Sequence, residues 1–200
     1  SPFTEDKPKQ RLEMTQKFIK DLKKPVIYIN QVGGQDSILF DGGSFVLDGD
    51  GEVVLKMREF VEDSEVISVC YPENHCHTEH SEVSHKTSSI LTQGRSQEFL
   101  HNCKESLIYN AIILALRDYI HKNGFSKVLV GMSGGIDSAL VATVAVDALG
   151  SDNVKLVALP TKYNSQTSMD DALKAAENLG INLEVINIES AVEALNESLK

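Results

Sequence analysis

The sequence predicts an α/β protein in two parts, the second built on a parallel sheet. Three observations carry this. From about residue 98 onward, short apolar runs alternate with segments of helical period, the pattern of βαβ units. The first 60 residues give one helix and then closely spaced strand-like runs, the pattern of an antiparallel meander. Between the two, residues 62–97 are polar, rich in Ser, His and Glu, and aperiodic, which reads as an inter-domain linker.

Each element follows from its own pattern. Residues 8–24, PKQRLEMTQKFIKDLKK, put Leu12, Phe18, Ile19 and Leu22 on one face, and Pro25 closes the helix. VIYIN (26–30) is a short buried strand and QVGGQD (31–36) a structural turn. SILF (37–40), GSFVLD (43–48) and EVVLKM (52–57) are strands parted by the turn signals DGG and DGDG. Residues 98–124 form a long helix with an apolar set of Leu100, Cys103, Leu107, Ala111, Leu114 and Ile120, capped by Gly124. Then come strand 127–132, helix 137–149, strand 154–159, helix 168–179 with Ser168 and Asp171 in capping-box spacing, strand 181–188, and a helix opening at Ser190.

Composition narrows the class. The 200 residues are 42% hydrophobic and 24% charged, as in ordinary globular domains. A net charge of −10 argues against a nucleic-acid surface, which needs a basic face, but leaves room for a local phosphate site. No apolar run is long enough to span a membrane, and residues 1–15 are too polar for a signal peptide. The three cysteines, Cys70, Cys76 and Cys103, are odd in number and irregular in spacing, which suits a reducing cytoplasm. The run CYPENHCHTEH (70–80) matches no regular zinc spacing. The chain opens at Ser1 without Met and stops inside a helical pattern, so the expectation is a piece of a longer protein.

The chemistry concentrates in GMSGGIDS (131–138), between a buried strand and a helix. Ligands of open parallel sheets sit at the carboxyl ends of strands, and helix N-termini attract anions. Glycines at 134 and 135 let backbone wrap a phosphate, and Ser133 and Ser138 add hydroxyls. Neither G-x-x-x-x-G-K-[ST] nor G-x-G-x-x-G is present. Asp137 has two readings: it complements the helix dipole, or it holds a divalent cation that bridges to phosphates.

SGGIDS resembles the pyrophosphate loop of the N-type ATP pyrophosphatases, a group that includes NAD, GMP, argininosuccinate and asparagine synthetases. Residues 131–181, with LPTKYNSQTSMDDA (159–172) inside them, resemble NAD synthetases over some fifty residues. VIYINQVGGQDSILFDGGSFVLDGDGEV (26–53) resembles the end of a nitrilase-type glutaminase domain. That order of parts is the order of the glutamine-dependent NAD synthetases.

The resemblance implies a fold: the C-terminal part of a nitrilase-like αββα domain, then the first half of an adenine-nucleotide alpha-hydrolase-like, Rossmann-like parallel-sheet domain. The implied boundaries are 1–62 for the glutaminase part, 63–97 for the linker and 98–200 for the ATP-binding part. It implies a carbon–nitrogen ligase that uses ATP, Mg²⁺ and glutamine to amidate deamido-NAD, through an adenylated intermediate, with release of AMP and pyrophosphate. Gly131, Met132, Ser133, Gly134, Gly135, Ile136, Asp137 and Ser138 would take ATP, and Asp137 the metal. Ser1 and Lys7 would contact glutamine. The catalytic Glu, Lys and Cys of the glutaminase would lie upstream, so the chain alone is expected to be inactive. A homo-oligomer in the cytoplasm, with no nucleic-acid or membrane partner, is expected. The rivals are another amidotransferase with this ATP loop, such as a GMP synthetase-like enzyme, and a non-catalytic nucleotide-binding or assembly module.

Overall fold

A computed structural model describes residues 1–70, 89–92, 103–161 and 165–199. The chain divides into two compact units, Ser1–Ala111 and Ile112–Lys200.

In the first unit, helix α1 (Lys7–Leu22) starts with a proline in its first turn and ends at Lys23, whose left-handed backbone returns its N–H to the carbonyl of Ile19. Strands β1 (Val26–Tyr28), β4 (Phe45–Leu47) and β5 (Val53–Lys56) form an antiparallel sheet in the order β1-β4-β5. Ile19, Phe45 and Leu47 are buried together beneath Leu12, Val26, Tyr28 and Val53. The face of α1 that is buried carries Arg11, Thr15 and Ile19, spaced four apart, while Phe18 and Leu22 are exposed. The expected apolar face therefore holds for Ile19 and Leu12 only. A charged pair supplies the rest: Arg11 makes two hydrogen bonds to the fully buried Asp41, at 2.8 and 2.5 Å. Asn30 Nδ2 donates to Asp41 Oδ1 and to the Gly42 carbonyl, both at 3.0 Å.

The glycine-rich segment read as a turn is a strand. β2 (Val32–Gln35) pairs antiparallel with β3 (Ile38–Asp41), Gly33 opposite Phe40 and Gly34 opposite Leu39. The turn is only Asp36 and Ser37, with Asp36 at a φ of 50°. Within the stretch read as a linker, β6 (Ile67–Cys70) pairs antiparallel with β7 (Ser89–Thr92). Cys76, His77, His80 and His85 lie outside the described residues.

Helix α2 (Lys104–Lys122) buries Ala111, Leu114 and Ile120, three of its expected apolar set, and Leu100 lies outside the described residues. Cys103, expected in that core, is exposed, because the helix begins one residue after it.

The second unit contains a parallel sheet of β8 (Val128–Gly131), β9 (Val154–Ala158) and β10 (Leu183–Val185), in the order β10-β9-β8. Helices α3 (Ile136–Leu149), α4 (Gln166–Asn178) and α5 (Glu189–Ser198) follow the three strands in turn. This is the predicted α/β alternation. Ala142 and Ala145 of α3 and Ala172 and Ala176 of α4 enter one core with Met132, Val154 and Leu156. Small side chains on both helices let them lie close to the sheet. Leu156 is wholly buried, a contribution of about 1.5–3 kcal/mol. Helix α4 is capped by Ser165, whose Oγ accepts the Ser168 N–H at 3.2 Å, so the cap stands three residues before the expected Ser168. Among the described residues no helix is long and apolar enough to cross a membrane.

Candidate functional site: the loop between β8 and α3

The parallel register of β8 on β9 brings their carboxyl ends level, Gly131 against Val157. The chain leaves β8 through Met132, whose N–H bonds the Val157 carbonyl at 2.8 Å and whose side chain is buried in the core. That anchor fixes the start of the loop. Its end is fixed by α3, which begins at Ile136 after the extended N-cap Gly135. Between these points the two serines hold the loop: Ser138 Oγ bonds the Ser133 N–H and the Gly135 carbonyl, and Ser133 Oγ takes the Gly135 N–H.

Gly134 is the tightest point. Its φ is +83°, and a Cβ built on it would lie 2.0 Å from the Ser168 carbonyl oxygen. The loop therefore packs against the first turn of α4, backbone to backbone. The first turn of α4 and the start of the loop border a cleft of about 310 Å³ at the carboxyl ends of β8 and β9. Ser133, Ala158, Pro160, Ser168 and Met169 line it. Such a cleft, with Val157, Ala158 and Pro160 on one side and Ser133 and Ser168 on the other, suits a group with a flat apolar part and a polar part.

Asp137 stands in the first turn of α3, exposed to solvent. Among the described residues no group of three or more His, Cys, Asp or Glu side chains could hold a metal ion. A lone carboxylate fits Mg²⁺, which takes one or two carboxylates and completes its shell with water and substrate phosphates. It does not fit a metal held by protein ligands alone.

Residues 131–138 thus form one hydrogen-bonded loop. Ser1 and Lys7 belong to the other unit: the Ser1 amino group donates to Asn30 Oδ1 at 2.7 Å, and Lys7 is the half-buried first residue of α1. Sequence reasoning missed the part of α4 in the site. The signal was the pair Ser165 and Ser168, one turn apart at the end of a strand-to-helix loop, whose hydroxyls lie 2.9 Å apart.

Residues 108–200 match the family model of NAD synthase. Over its whole length the chain is 38% identical to the glutamine-dependent NAD(+) synthetase of Rhodobacter capsulatus, covering 33% of that protein. It is 34% identical to the enzyme of the same name from Acinetobacter baylyi, covering 34% of it. It superposes on the solved glutamine-dependent NAD(+) synthetase of Acinetobacter baumannii, determined with adenosine diphosphate. The TM-score is 0.80 at 34% identity, covering 100% of this chain and 35% of that one. The chain spans about a third of the length of the curated relatives it matches. The chain thus resembles a stretch of the glutamine-dependent NAD(+) synthetases over its whole length, and the unit that carries the loop is similar to NAD synthases.

Proposed function

We propose that the chain is the part of a glutamine-dependent NAD synthetase that receives ATP, and that the β8–α3 loop holds the ATP phosphates. The observation that carries this is the docking of Gly134 on the first turn of α4, which holds the loop ahead of the α3 N-terminus, where anions bind, at the carboxyl end of β8. The relative solved with adenosine diphosphate supports a nucleotide as the ligand. The proposed division is a nitrilase-type glutaminase part over 1–62, a linker over 63–97 and a Rossmann-like ATP-binding part over 98–200.

In the complete enzyme, the deamido-NAD carboxylate attacks the α-phosphorus of ATP, the bond to the β-phosphate breaks, and pyrophosphate leaves. Ammonia released from glutamine then attacks the acyl carbon of the adenylate, AMP leaves, and NAD forms. The work of this chain is to orient the phosphates and stabilise charge on the departing pyrophosphate, with N–H groups of the loop and the dipole of α3. Asp137 would hold Mg²⁺, which when bound neutralises phosphate charge. Ser1 and Lys7 would contact glutamine in the complete glutaminase site. A homo-oligomer in the cytoplasm goes with this reading.

Isothermal titration tests it. ATP binds the wild-type chain, more tightly with Mg²⁺ than without, and Asp137→Ala removes the metal-dependent gain. Failure of the wild type to bind ATP would refute the site, and a metal-dependent gain that survives Asp137→Ala would refute the role of Asp137.

A further inference from the structure

Phe60, in the first unit, has a backbone conformation that bulky side chains rarely adopt. Its φ is +61°, and the residue is only 5% exposed. Glycine or asparagine would take that conformation at less cost, so the aromatic ring must contribute something at this position. The ring meets Phe3 edge to face, with centroids 5.3 Å apart and planes at 80°. Phe3 is held through its backbone as well: its N–H donates to the Leu39 carbonyl at 2.6 Å. Two residues earlier, the Ser1 nitrogen donates to Asn30 Oδ1 at 2.7 Å. The segment 1–3 is therefore fixed at three points, by Asn30, by Leu39 of β3 and by Phe60.

Asp41 joins these points to α1. Its carbonyl accepts the Phe60 N–H at 2.8 Å, and its Oδ1 accepts from Asn30 Nδ2 at 3.0 Å. The same carboxylate holds Arg11, which stands one helical turn after Lys7. One fully buried residue therefore fixes both the segment that carries Ser1 and the helix that begins at Lys7. We propose that Phe60 is a positioning residue for glutamine: its ring, seated on Phe3, holds Ser1 at a set separation from Lys7 so that the two close on one ligand. The proposal rests on the reading of Ser1 and Lys7 as glutamine contacts. The left-handed strain at Phe60 is kept because a segment already fixed has less freedom to lose when the ligand binds.

The test uses the complete enzyme, glutamine as the nitrogen donor, and the variants Phe60→Leu, Phe3→Leu and the two combined. Leucine keeps the contact apolar, and thermal unfolding checks that each variant folds. Phe60→Leu is expected to raise the glutamine KM about threefold to tenfold, the factor that one edge-to-face ring pair is worth, with kcat little changed. A purely structural loss would lower the amount of active enzyme, and so the apparent kcat, without moving KM. Phe3→Leu should give the same rise, and the double variant should rise no further than either single, because both remove one contact. An unmoved KM in Phe60→Leu overturns the proposal, as does a double variant whose rise is the product of the two singles. Ser1→Ala, assayed alongside, separates the two layers. If it raises KM while Phe60→Leu does not, the glutamine reading of Ser1 stands and the role of Phe60 falls. If it leaves KM unmoved, the reading of Ser1 fails and the proposal falls with it.

Discussion

Adjacent glycines in the loop should respond in opposite ways to the same substitution. At Gly134 a methyl group would sit 2.0 Å from the Ser168 carbonyl oxygen, 2.7 Å from its carbon and 2.8 Å from its Cα. All three are backbone atoms of a helix, so no side chain can swing aside. The φ of +83° adds the left-handed cost of a non-glycine residue. Left-handed strain of about 1–2 kcal/mol and overpacking of about 1–3 kcal/mol bring Gly134→Ala to about 2–5 kcal/mol. At Gly135, φ is −86° and the nearest contact of a Cβ would be Ser133 Oγ at 3.4 Å, so Gly135→Ala costs less than about 1 kcal/mol, the loss of a better N-cap residue. Thermal unfolding followed by circular dichroism measures both. For a unit of this size each kcal/mol moves Tm by about 4–8 °C, so Gly134→Ala should lower Tm by about 8 °C or more and Gly135→Ala by much less. Equal, small shifts in the two variants would refute the packing of the loop on α4.

Other expectations concern both units. Arg11→Met strands the buried carboxylate of Asp41 and should destabilise the first unit by about 3–5 kcal/mol in urea unfolding. Burial alone would lower the Arg11 pKa, but its hydrogen bond and charge interaction with Asp41 outweigh that and raise it above its usual value. A raised cation loses its stabilising contribution only as pH climbs through the folded-state pKa, so the cost of Arg11→Met should be the same at neutral and mildly alkaline pH. A cost that fades in that window would contradict the ion pair. Ser165→Ala removes the N-cap of α4 and should cost about 1 kcal/mol, visible as a lower urea midpoint at unchanged slope. Finally, the 200-residue chain should make no NAD when given glutamine, ATP and deamido-NAD, as followed by chromatography. Detectable synthesis would refute the division of labour proposed above.

The second unit was legible in the sequence because its signals are local. Apolar β-branched runs at 128–131 and 154–158, each followed by a helix of 13 or 14 residues, leave little choice of architecture. The loop was legible for the same reason, since Ser, Gly, Gly, Asp and Ser fall within six residues. What failed was non-local. Gly33 and Gly34 read as a turn because glycine disfavours strands, yet pairing with Phe40 and Leu39 makes them one. Phe18 reads as core, but Arg11 and Thr15 take the inner face, because Asp41 waits 30 residues further on. The contact of Gly134 with Ser168 crosses 34 residues, and Ser165 and Ser168 signal a helix start there without saying what packs against it. Cys103 reads as apolar, but the start of α2 at Lys104 puts it outside the helix.

The most direct measurement is an NMR titration of the chain with ATP and Mg²⁺, followed at each backbone amide. The largest shifts are expected across residues 131–138 and the first turn of α4, and pyrophosphate added afterwards should displace the ATP. Shifts that map to the first unit, or no shift at millimolar ATP, would contradict the loop as the nucleotide site.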